Sequence, residues 1–310
     1  MDALEPLVDP FGRPVTSLRI SVTQRCNLAC FFCHREGEHD PGAEMTPCEI
    51  GRLVEVAAEL GVTKVKITGG EPLMRPDIVE VTRMISPHVR EASMTTNAIL
   101  LPKYAQQLRD AGLRRVNISL HSLKREAVQR IAGVDCLDKV KAGIEAASEA
   151  GLKPIKLNFV VMKGLNADEI PDMLRLSAET GAILQLIEYQ RLERGVERWG
   201  DLYFDLTPLE EKWSVEAVKV VEQEMHRRRR YTLPGGATVE VVRPIHNTVF
   251  CANCNRLRLT SDGSLKPCLM RGDNLVPAVQ LIRGGAPKSE LVGAFRRATG
   301  LRAPYWREGP

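Results

Sequence analysis

The stretch LRISVTQRCNLACFFC, residues 18–33, joins a short apolar run to a loop that carries three cysteines: Cys26, Cys30 and Cys33. A second triad of cysteines lies near the other end of the chain: Cys251, Cys254 and Cys268. A structural zinc ion or an electron-transfer cluster normally takes four protein ligands, so three thiolates leave one iron of a cluster open to a small molecule. Two such triads in one chain indicate an enzyme.

A zinc knuckle or a pair of redox thiols is the simpler interpretation of the first triad, and the spacing alone leaves it open. Downstream, the stretch VKITGGEP at residues 65–72 is a short apolar strand that ends in two glycines, Gly69 and Gly70. Glycine permits a positive φ and a close approach of the backbone to a ligand, although an isolated Gly-Gly pair more often marks a turn. Its position after the cysteine loop favours a cofactor site.

An alternating segment, NRLRLT at residues 255–260, runs between the last two cysteines of the second triad. Alternation of charged and apolar residues is typical of a half-buried strand, so Arg256 and Arg258 are expected on one face beside the second triad. Arginines on a strand are usually solvated surface. Beside an open iron, however, two guanidinium groups suit an anion, because their fork geometry matches pairs of phosphate oxygens. The pattern predicts an acidic, phosphorylated substrate.

The first loop, with an aromatic residue just before its last cysteine, and the GGEP segment together resemble the radical S-adenosylmethionine (SAM) superfamily. This resemblance implies a 4Fe-4S cluster on the first triad, with the amino and carboxylate groups of SAM on the fourth iron. It further implies that reduction of the cluster cleaves SAM to a 5′-deoxyadenosyl radical.

Over nearly the full chain, the sequence resembles the GTP 3′,8-cyclase family of molybdenum cofactor biosynthesis. The shared segments are residues 18–33, 66–75, 95–97, 116–120, 156–158 and 251–268. The resemblance implies a second 4Fe-4S cluster on the second triad, with the guanine of GTP at its open iron. The implied reaction removes the ribose 3′ hydrogen and joins the carbon radical to guanine C8, giving (8S)-3′,8-cyclo-7,8-dihydroguanosine 5′-triphosphate.

Position by position, the resemblance places six residues around SAM: Phe32, Gly69, Gly70, Glu71, Ser119 and Gln190. It places six around GTP, of which the last two are also assigned a catalytic role: Arg19, Lys66, Thr95, Lys156, Arg256 and Arg258. Bringing a triphosphate, with roughly three to four negative charges, into a water-poor cavity requires paired cations. Without the resemblance, the two lysines could equally reach to solvent along their strands.

Several positions depart from the pattern of the bacterial members. Gln185 stands where an arginine is expected, Gln190 replaces a methionine, and Lys66 replaces an arginine, keeping the charge but losing the fork. The chain ends YWREGP, residues 305–310, without the Gly-Gly tail of those members. The sequence therefore resembles an archaeal-type variant, and the departures concern substrate contacts more than the type of reaction.

The first 190 residues alternate strand and helix patterns. Strands are predicted at residues 18–23, 65–68, 92–96, 115–121, 156–161 and 184–189, and Thr46-Pro47-Cys48-Glu49 predicts a capped helix start. Six βα units with right-handed crossovers predict an α/β fold with a parallel sheet, short of the eight strands of a closed barrel. The resemblance supplies an incomplete (βα)6 TIM-like barrel over residues 1–190. It further implies that residues 191–310 form a C-terminal extension, which carries the second Fe-S cluster and the substrate-binding arginines and packs across the open side.

Composition and charge limit the partners and the cellular location that we expect for the protein. The chain has 310 residues, 44% of them hydrophobic, and a formal net charge of +4, which is small and predicts no nucleic-acid partner. No secretory leader and no apolar run of about 20 residues is apparent, so we expect no membrane contact and a reducing, cytoplasmic location. The basic run Arg227-Arg228-Arg229-Arg230 precedes a predicted hairpin and is interpreted as a solvated edge strand, with RNA binding as the alternative.

Two other classes of protein stay open. A radical SAM enzyme that modifies a peptide and has an auxiliary cluster would share the first triad and GGEP, whereas a zinc-binding, non-enzymatic module would use only the cysteines. The resemblance also implies three partners: GTP, a low-potential electron donor and the next enzyme of the pathway, cyclic pyranopterin monophosphate synthase. A homodimer is left open. Cys48 and Cys136 lack the spacing of ligands and are expected to be structural.

Overall fold

Six strands follow one another in the order of the chain and form the centre of one sheet. The computed structural model describes residues 4–38, 43–192 and 196–306. The six strands are β1 Ser17–Ser21, β2 Lys64–Thr68, β3 Glu91–Thr96, β4 Leu113–Ser119, β5 Lys156–Val161 and β6 Ile183–Glu188. Each pairs in parallel with the next. All six predicted strands are confirmed, with ends that shift by one or two residues.

Helices connect these strands and cover their outer face. They are α1 Pro47–Glu59, α2 Ile78–Ile85, α3 Leu101–Asp110, α4 Arg125–Ala132, α5 Leu137–Glu149 and α6 Ile170–Thr180. The predicted start of α1 is confirmed, because the Thr46 hydroxyl accepts from the Glu49 N–H while the Glu49 carboxylate accepts from the Thr46 N–H. Gly181 then ends α6 in the left-handed region, at φ 67°, which a residue with a Cβ adopts only with strain.

The two faces of each central strand differ in chemistry. Leu18 and Ile20 of β1 are fully buried in the apolar core that the strands share with the helices, whereas Arg19 between them points to the opposite, concave face. Lys66 of β2 and Asn117 of β4 also line that concave face. The period-two alternation therefore places the polar side chains of successive strands around one common space. This arrangement, a parallel α/β sheet curved around an interior site, is the predicted partial barrel.

The second half of the chain adds both helices and strands. These are α7 Trp199–Leu202, α8 Thr207–Glu216, β7 Lys219–Glu222, β8 Arg229–Thr232, β9 Thr238–Val242, α9 Thr248–Ala252, β10 Arg256–Leu259, β11 Ser264–Lys266, β12 Val276–Pro277, α10 Val279–Arg283 and α11 Lys288–Gly300. The twelve strands form one sheet in the order β12-β11-β10-β1-β2-β3-β4-β5-β6-β9-β8-β7. Of the helices in the described ranges, none is long and apolar enough to cross a bilayer.

The extension therefore does more than pack across the open side of the barrel. β10 pairs in parallel with β1, and β9 pairs in parallel with β6, so the extension continues the sheet at both of its edges. A partial barrel leaves a row of unpaired backbone groups on each edge strand, and these two pairings satisfy them. The predicted boundary between residues 190 and 191 stays a prediction, since the sheet runs through both parts.

The predicted hairpin is confirmed as β8 and β9, but its place in the sheet is not the expected one. β7 pairs with the other side of β8 and is the edge strand, so β8 lies inside the sheet. The interpretation of the basic run as a solvated edge is wrong for Arg228 and Arg230, which line the concave face. Arg227 and Arg229 are exposed. Alternation along the strand separates the four arginines into two pairs.

Candidate active site

A single large cavity occupies the concave face of the sheet. Its volume is about 860 Å³, within the range of a nucleotide-sized binding site. Each triad of cysteines contributes all three of its thiols to the lining: Cys26, Cys30, Cys33, Cys251, Cys254 and Cys268. The structure thus brings together two sets of thiols that lie more than 200 residues apart in the chain. All twelve residues that the resemblance assigned to SAM or GTP also line this cavity.

The first triad lies on a short loop that follows β1 and is held by backbone hydrogen bonds. The Ala29 N–H donates to the Ala132 carbonyl at 3.0 Å and the Phe31 N–H to the Ile131 carbonyl at 3.2 Å, which fixes the loop on the end of α4. Burial, together with the neighbouring thiols of Cys33 and Cys26, raises the pKa of the Cys30 thiol to about 12. Burial also raises the pKa of the Cys26 thiol. A thiol must lose its proton to bind a metal as a thiolate, so binding of a metal centre here releases protons.

Gly69 and Gly70 hold the cysteine loop by close backbone contact. The Gly70 N–H donates to the Thr23 carbonyl at 2.6 Å, and a Cβ on Gly70 would lie 2.3 Å from the carbonyl oxygen of Arg25. A Cβ on Gly69 would lie 2.4 Å from the carbonyl oxygen of Thr23. These approaches exclude any residue with a side chain, because the neighbours are backbone atoms that cannot move alone. The GGEP segment therefore acts on the loop as well as lining the cavity.

Glu71 is enclosed beneath the two glycines. Its carboxylate accepts hydrogen bonds from the Asn97 N–H at 2.6 Å, the Thr96 hydroxyl at 2.6 Å and the Leu73 N–H at 3.1 Å. Burial raises the pKa of Glu71 to about 7 despite these donors. Its oxygens are thus engaged by the ends of β2 and β3, which places Glu71 in support of the predicted SAM site.

The other predicted SAM residues lie at the strand ends around the first triad. The ring of Phe32 packs edge-on against His121, with ring centroids 4.9 Å apart. Ser119 ends β4, and Gln190 follows β6. Sequence reasoning did not identify His121, whose pKa is lowered to about 4 by burial and whose Nδ1 accepts from the Val160 N–H at 3.1 Å. A neutral imidazole therefore forms part of the wall beside Phe32.

Cations line the opposite part of the cavity at one level of the sheet. Arg19 is the register partner of both Arg258 on β10 and Lys66 on β2, so three cations from three neighbouring strands lie side by side. Arg256 lies two residues before Arg258 on the same face, as predicted from the alternation. Burial, together with the nearby charges of Arg19 and Arg258, lowers the pKa of Arg256 to about 9. Thr95 of β3 lines the cavity nearby.

Glu36 is a buried counter-ion that the sequence did not reveal. Its Oε2 accepts from Arg19 Nε at 2.9 Å and from Arg258 Nη1 at 2.6 Å, and Thr68 donates to its Oε1 at 3.1 Å. Burial by itself would raise the pKa of Glu36, but the two guanidinium groups hold it well below its usual range. A glutamate three positions after Cys33 gives no local signal of this pairing, since Arg258 is 222 residues away.

Glu240 neutralises the other end of the cation row. Its carboxylate lies 2.6 Å from Lys156 Nζ and 2.5 Å from Arg230 Nη2, and Gln185 Nε2 donates to it at 2.9 Å. Burial would raise the pKa of Glu240, yet Lys156, Arg228 and Arg230 hold it at about 2. Gln185, which stands where an arginine was expected, is therefore a donor to an anion here. In the sequence, this pairing is indicated only by the position of Glu240 within the otherwise apolar segment TVEVV.

The cavity has an excess of positive charge after these pairings. Among the described residues, the lining contains twelve lysines and arginines and six glutamates, and Glu240 pairs with two of these cations, Lys156 and Arg230. Lys66 Nζ donates only to the amide oxygen of Asn117, at 2.8 Å, and Arg256 Nε has no hydrogen-bond partner in the described part of the chain. Buried cations without carboxylates fit an anionic ligand.

The donor chemistry of both triads fits Fe-S clusters. Among residues 4–38, 43–192 and 196–306, no three cysteine, histidine or carboxylate side chains lie close enough together to hold one metal ion. Thiolates bind both zinc and iron, and three of them leave one iron of a 4Fe-4S cluster open to a small molecule. Cys48 is exposed on α1, away from the cavity, but Cys136 is buried in the cavity wall and helps to raise the pKa of Cys30.

Comparison with protein families identifies the class. Residues 20–177 match the model described as the radical SAM superfamily, so the chain is a radical SAM enzyme, a class that carries a 4Fe-4S cluster and SAM. Residues 182–308 match the model described as molybdenum cofactor synthesis C. Together with the full-length relatives below, these matches show that the chain belongs to the GTP 3′,8-cyclase family, whose members are lyases.

Full-length relatives support this membership. A probable GTP 3′,8-cyclase of Pyrococcus horikoshii is 52% identical over 305 residues, which cover 97% of this chain and 98% of that one. A probable GTP 3′,8-cyclase of Thermococcus kodakarensis is 52% identical over 97% of this chain and 100% of its own length. One of Thermoplasma volcanium is 44% identical over 98% of this chain and 94% of its own.

Solved structures show the same fold at low identity. Streptococcus suis SuiB bound to S-adenosylmethionine superposes with a TM-score of 0.65 at 19% identity, covering 92% of this chain and 68% of that one. The anSMEcpe enzyme with bound AdoMet superposes with a TM-score of 0.58 at 17% identity, covering 85% of this chain and 78% of that one. The predicted radical SAM partial barrel is confirmed.

Proposed function

We propose that the protein cyclises GTP to (8S)-3′,8-cyclo-7,8-dihydroguanosine 5′-triphosphate in a SAM-dependent radical reaction, the first step of molybdenum cofactor biosynthesis. One observation carries this proposal: two open triads of thiols and an excess of buried cations share one cavity. The relatives at 52% identity, which are named probable GTP 3′,8-cyclases, support the same substrate.

In this proposal the first triad, Cys26, Cys30 and Cys33, binds the 4Fe-4S cluster that serves SAM. When bound, that cluster supplies the electron that cleaves the sulfonium of SAM to a 5′-deoxyadenosyl radical. Gly69 and Gly70 hold the loop and present backbone groups to the cofactor, while Phe32, Ser119 and Gln190 line its adenosine and methionine parts. Glu71 keeps the glycine segment in place through its three hydrogen bonds.

The second triad, Cys251, Cys254 and Cys268, would hold a second 4Fe-4S cluster with an iron free for guanine. A substrate that fills the cavity between the triads would displace water from the reacting atoms, which protects a carbon radical from side reactions. The residues of the wall hold the ribose between SAM and the guanine so that the 3′ hydrogen faces the radical. Holding two reacting groups in near-attack geometry is among the largest contributions that a rigid site makes to a rate.

The cations bind the triphosphate. Arg256 offers a guanidinium group that forms no ion pair with a carboxylate of the described residues, and Lys66 adds a point charge beside it. Arg19 and Arg258 present the N–H donors that Glu36 leaves unused, and Thr95 adds a hydroxyl. Charge-assisted bonds from guanidinium groups to phosphate oxygens are short and strong, and Arg256 and Arg258 also set the distance of the substrate from the second triad. Lys156 adds a further positive charge while it stays paired with Glu240.

A peptide substrate is the second candidate, because SuiB has also been solved bound to its precursor peptide SuiA. At 18% identity that likeness shows the fold alone. An uncharged peptide has no need of unneutralised cations such as Arg256 and Lys66 in the wall. The charge of the cavity therefore favours the nucleotide.

The proposed reaction also defines partners. Cleavage of SAM by a reduced cluster requires a low-potential electron donor, and the cyclised nucleotide requires a consuming enzyme, for which cyclic pyranopterin monophosphate synthase is the candidate. Oligomeric state and cytoplasmic location stay predictions. The role of the tail beyond Trp306 lies outside the described residues.

An anaerobic assay tests the proposal. Reconstituted protein is mixed with SAM, dithionite and either GTP or ATP, and 5′-deoxyadenosine and nucleotide products are separated by chromatography and mass spectrometry. We expect one cyclised guanosine triphosphate per deoxyadenosine with GTP and no cyclised product with ATP. Deoxyadenosine without any cyclised guanosine product would contradict the proposal.

A further inference from the structure

The two ends of the described chain meet at the second triad. Arg13 Nη1 donates to the Cys251 carbonyl at 2.8 Å, and Arg302 Nη2 donates to the Cys254 carbonyl at 2.5 Å. The backbone N–H groups of Tyr305 and Trp306 also donate hydrogen bonds to the Cys251 thiol. Residues from the first fifteen and the last nine positions thus contact two of the three ligands.

Asp9 organises the two arginines. Its Oδ2 lies 2.7 Å from Arg13 Nε and 3.2 Å from an Arg302 Nη, and its Oδ1 accepts from the Arg13 N–H at 3.0 Å. The side chains of Asp9 and Arg302 are 0% and 1% exposed. Arg302 also donates to the Arg13 carbonyl at 3.2 Å, so the three residues form one connected group, hereafter the Asp9 clamp.

Burying this group is costly unless its geometry is maintained. Removing ions from water costs several kcal/mol each, and their attraction offsets that cost only when each charged atom keeps its partner. Arg13 and Arg302 each donate to the carbonyl of a triad cysteine. The carboxylate of Asp9 holds both guanidinium groups in place. The peptide planes of Cys251 and Cys254 are therefore held in one orientation, which also fixes where their Cα–Cβ bonds point.

We propose that the Asp9 clamp is the positioning element of the second triad: Asp9, Arg13 and Arg302 hold Cys251 and Cys254 in the geometry that takes up the cluster. This inference rests on the second cluster of the proposed function. Groups that orient metal ligands typically change metal affinity by about 10- to 100-fold when they are removed. By contrast, the contacts of the first triad's loop include backbone hydrogen bonds to the end of α4 and an amide–amide bond from Asn97 to Asn27.

The experiment isolates the second cluster in the full chain. In a Cys26→Ala, Cys30→Ala, Cys33→Ala background, iron and sulfide content, the EPR spectrum of the reduced cluster and the rate of iron release to a chelator are measured. Arg302→Gln and Arg13→Gln are expected to release iron about 10- to 100-fold faster than the background. Arg302→Lys and Arg13→Lys, which keep the charge, are expected to restore part of the retention. Arg283→Gln, which removes a surface ion pair with Glu49, is the matched control and should release iron at the background rate.

The possible outcomes distinguish a failure of the clamp inference from a failure of the proposed function. If the background protein takes up no cluster, the second cluster is wrong and the clamp is overturned with it. If the background holds its cluster and all four clamp variants hold it equally well, only the clamp is overturned. With the first triad intact, Arg302→Lys and Arg13→Gln should keep the first cluster and SAM cleavage. Loss of both clusters together, with a lowered melting temperature, would show a role in folding alone and would overturn the inference.

Discussion

The two triads reach the same cavity by different means. The first is contained in residues 26–33, a loop held by the backbone of α4 and of the Gly69-Gly70 segment. The second extends over residues 251–268, from α9 across β10 to the end of β11, and is held by charged side chains that come from both ends of the chain. A compact loop can carry its own geometry. A dispersed triad takes its geometry from the rest of the fold.

The largest expected effect separates the two triads by function. Replacing Cys26, Cys30 and Cys33 with alanine should abolish SAM cleavage, whereas replacing Cys251, Cys254 and Cys268 should abolish cyclisation but leave uncoupled SAM cleavage. Each triple variant should lose about four of roughly eight irons, because each triad binds its own cluster. Iron analysis and deoxyadenosine assays decide this. Cyclised product from the second variant would show that the triads are not divided in this way.

The next effect tests the cations beside the second triad. In the part of the chain that the structure describes, Arg256 has no carboxylate partner, so Arg256→Ala should weaken GTP binding without leaving an unpaired anion. Truncating one partner of a buried charged contact costs about 2–5 kcal/mol, or roughly 30-fold to several thousand-fold in affinity. Equilibrium binding of GTP measures the loss, and iron content should stay that of the parent. Arg229→Ala, an exposed arginine on β8, is the control. Parental affinity in Arg256→Ala would place the triphosphate elsewhere.

A smaller effect tests the backbone support of the first triad. Gly70→Ala places a Cβ 2.3 Å from the Arg25 carbonyl oxygen, so the cysteine loop must move. A displacement of about 1 Å in a reacting group can lower a rate about 100-fold, which is the loss we expect in SAM cleavage. The second cluster should be retained. Gly235→Ala, where a Cβ would meet nothing within 4 Å, should behave like the parent. Equal rates in both variants would mean that the loop does not depend on this contact.

The smallest effect concerns the two cysteines outside the triads. Cys48→Ser and Cys136→Ser should each keep the iron content and the turnover of the parent. Cys48 is exposed on α1. Cys136 lies in the cavity wall by Cys30, but it is the residue just before α5 and has no ligand-like spacing. Loss of about four irons from either variant would show that the ligands of a cluster were assigned wrongly.

Local patterns in the sequence predicted the parts of the fold that local interactions determine. The Thr46 capping box, the six strands and the common face of Arg256 and Arg258 all depend on residues a few positions apart, and the structure contains each of them. The roles of the site residues toward cofactor and substrate stay predictions. The sequence predicted that these residues share a site, and in the structure all of them line one cavity.

Long-range pairing is what the sequence could not supply. Glu36 meets Arg258 and Asp9 meets Arg302 only because distant strands and chain ends become neighbours, and no periodicity connects such residues. The basic run on β8 was misinterpreted for the same reason. Whether a strand is an edge depends on its last neighbour, here β7, and that pairing was not predicted.

The pairing of β1 with β10 has a consequence for the order in which the protein is assembled. Ser17 is the register partner of Arg256, so the outer side of β1 stays unpaired until more than four-fifths of the chain has left the ribosome. Until then the nascent barrel has two exposed edges, the feature that promotes aggregation of incomplete sheets. Closing a loop of this length also slows folding, because chain entropy is lost before the contact forms. Cells that make this protein must shield a growing, half-open sheet for most of its synthesis.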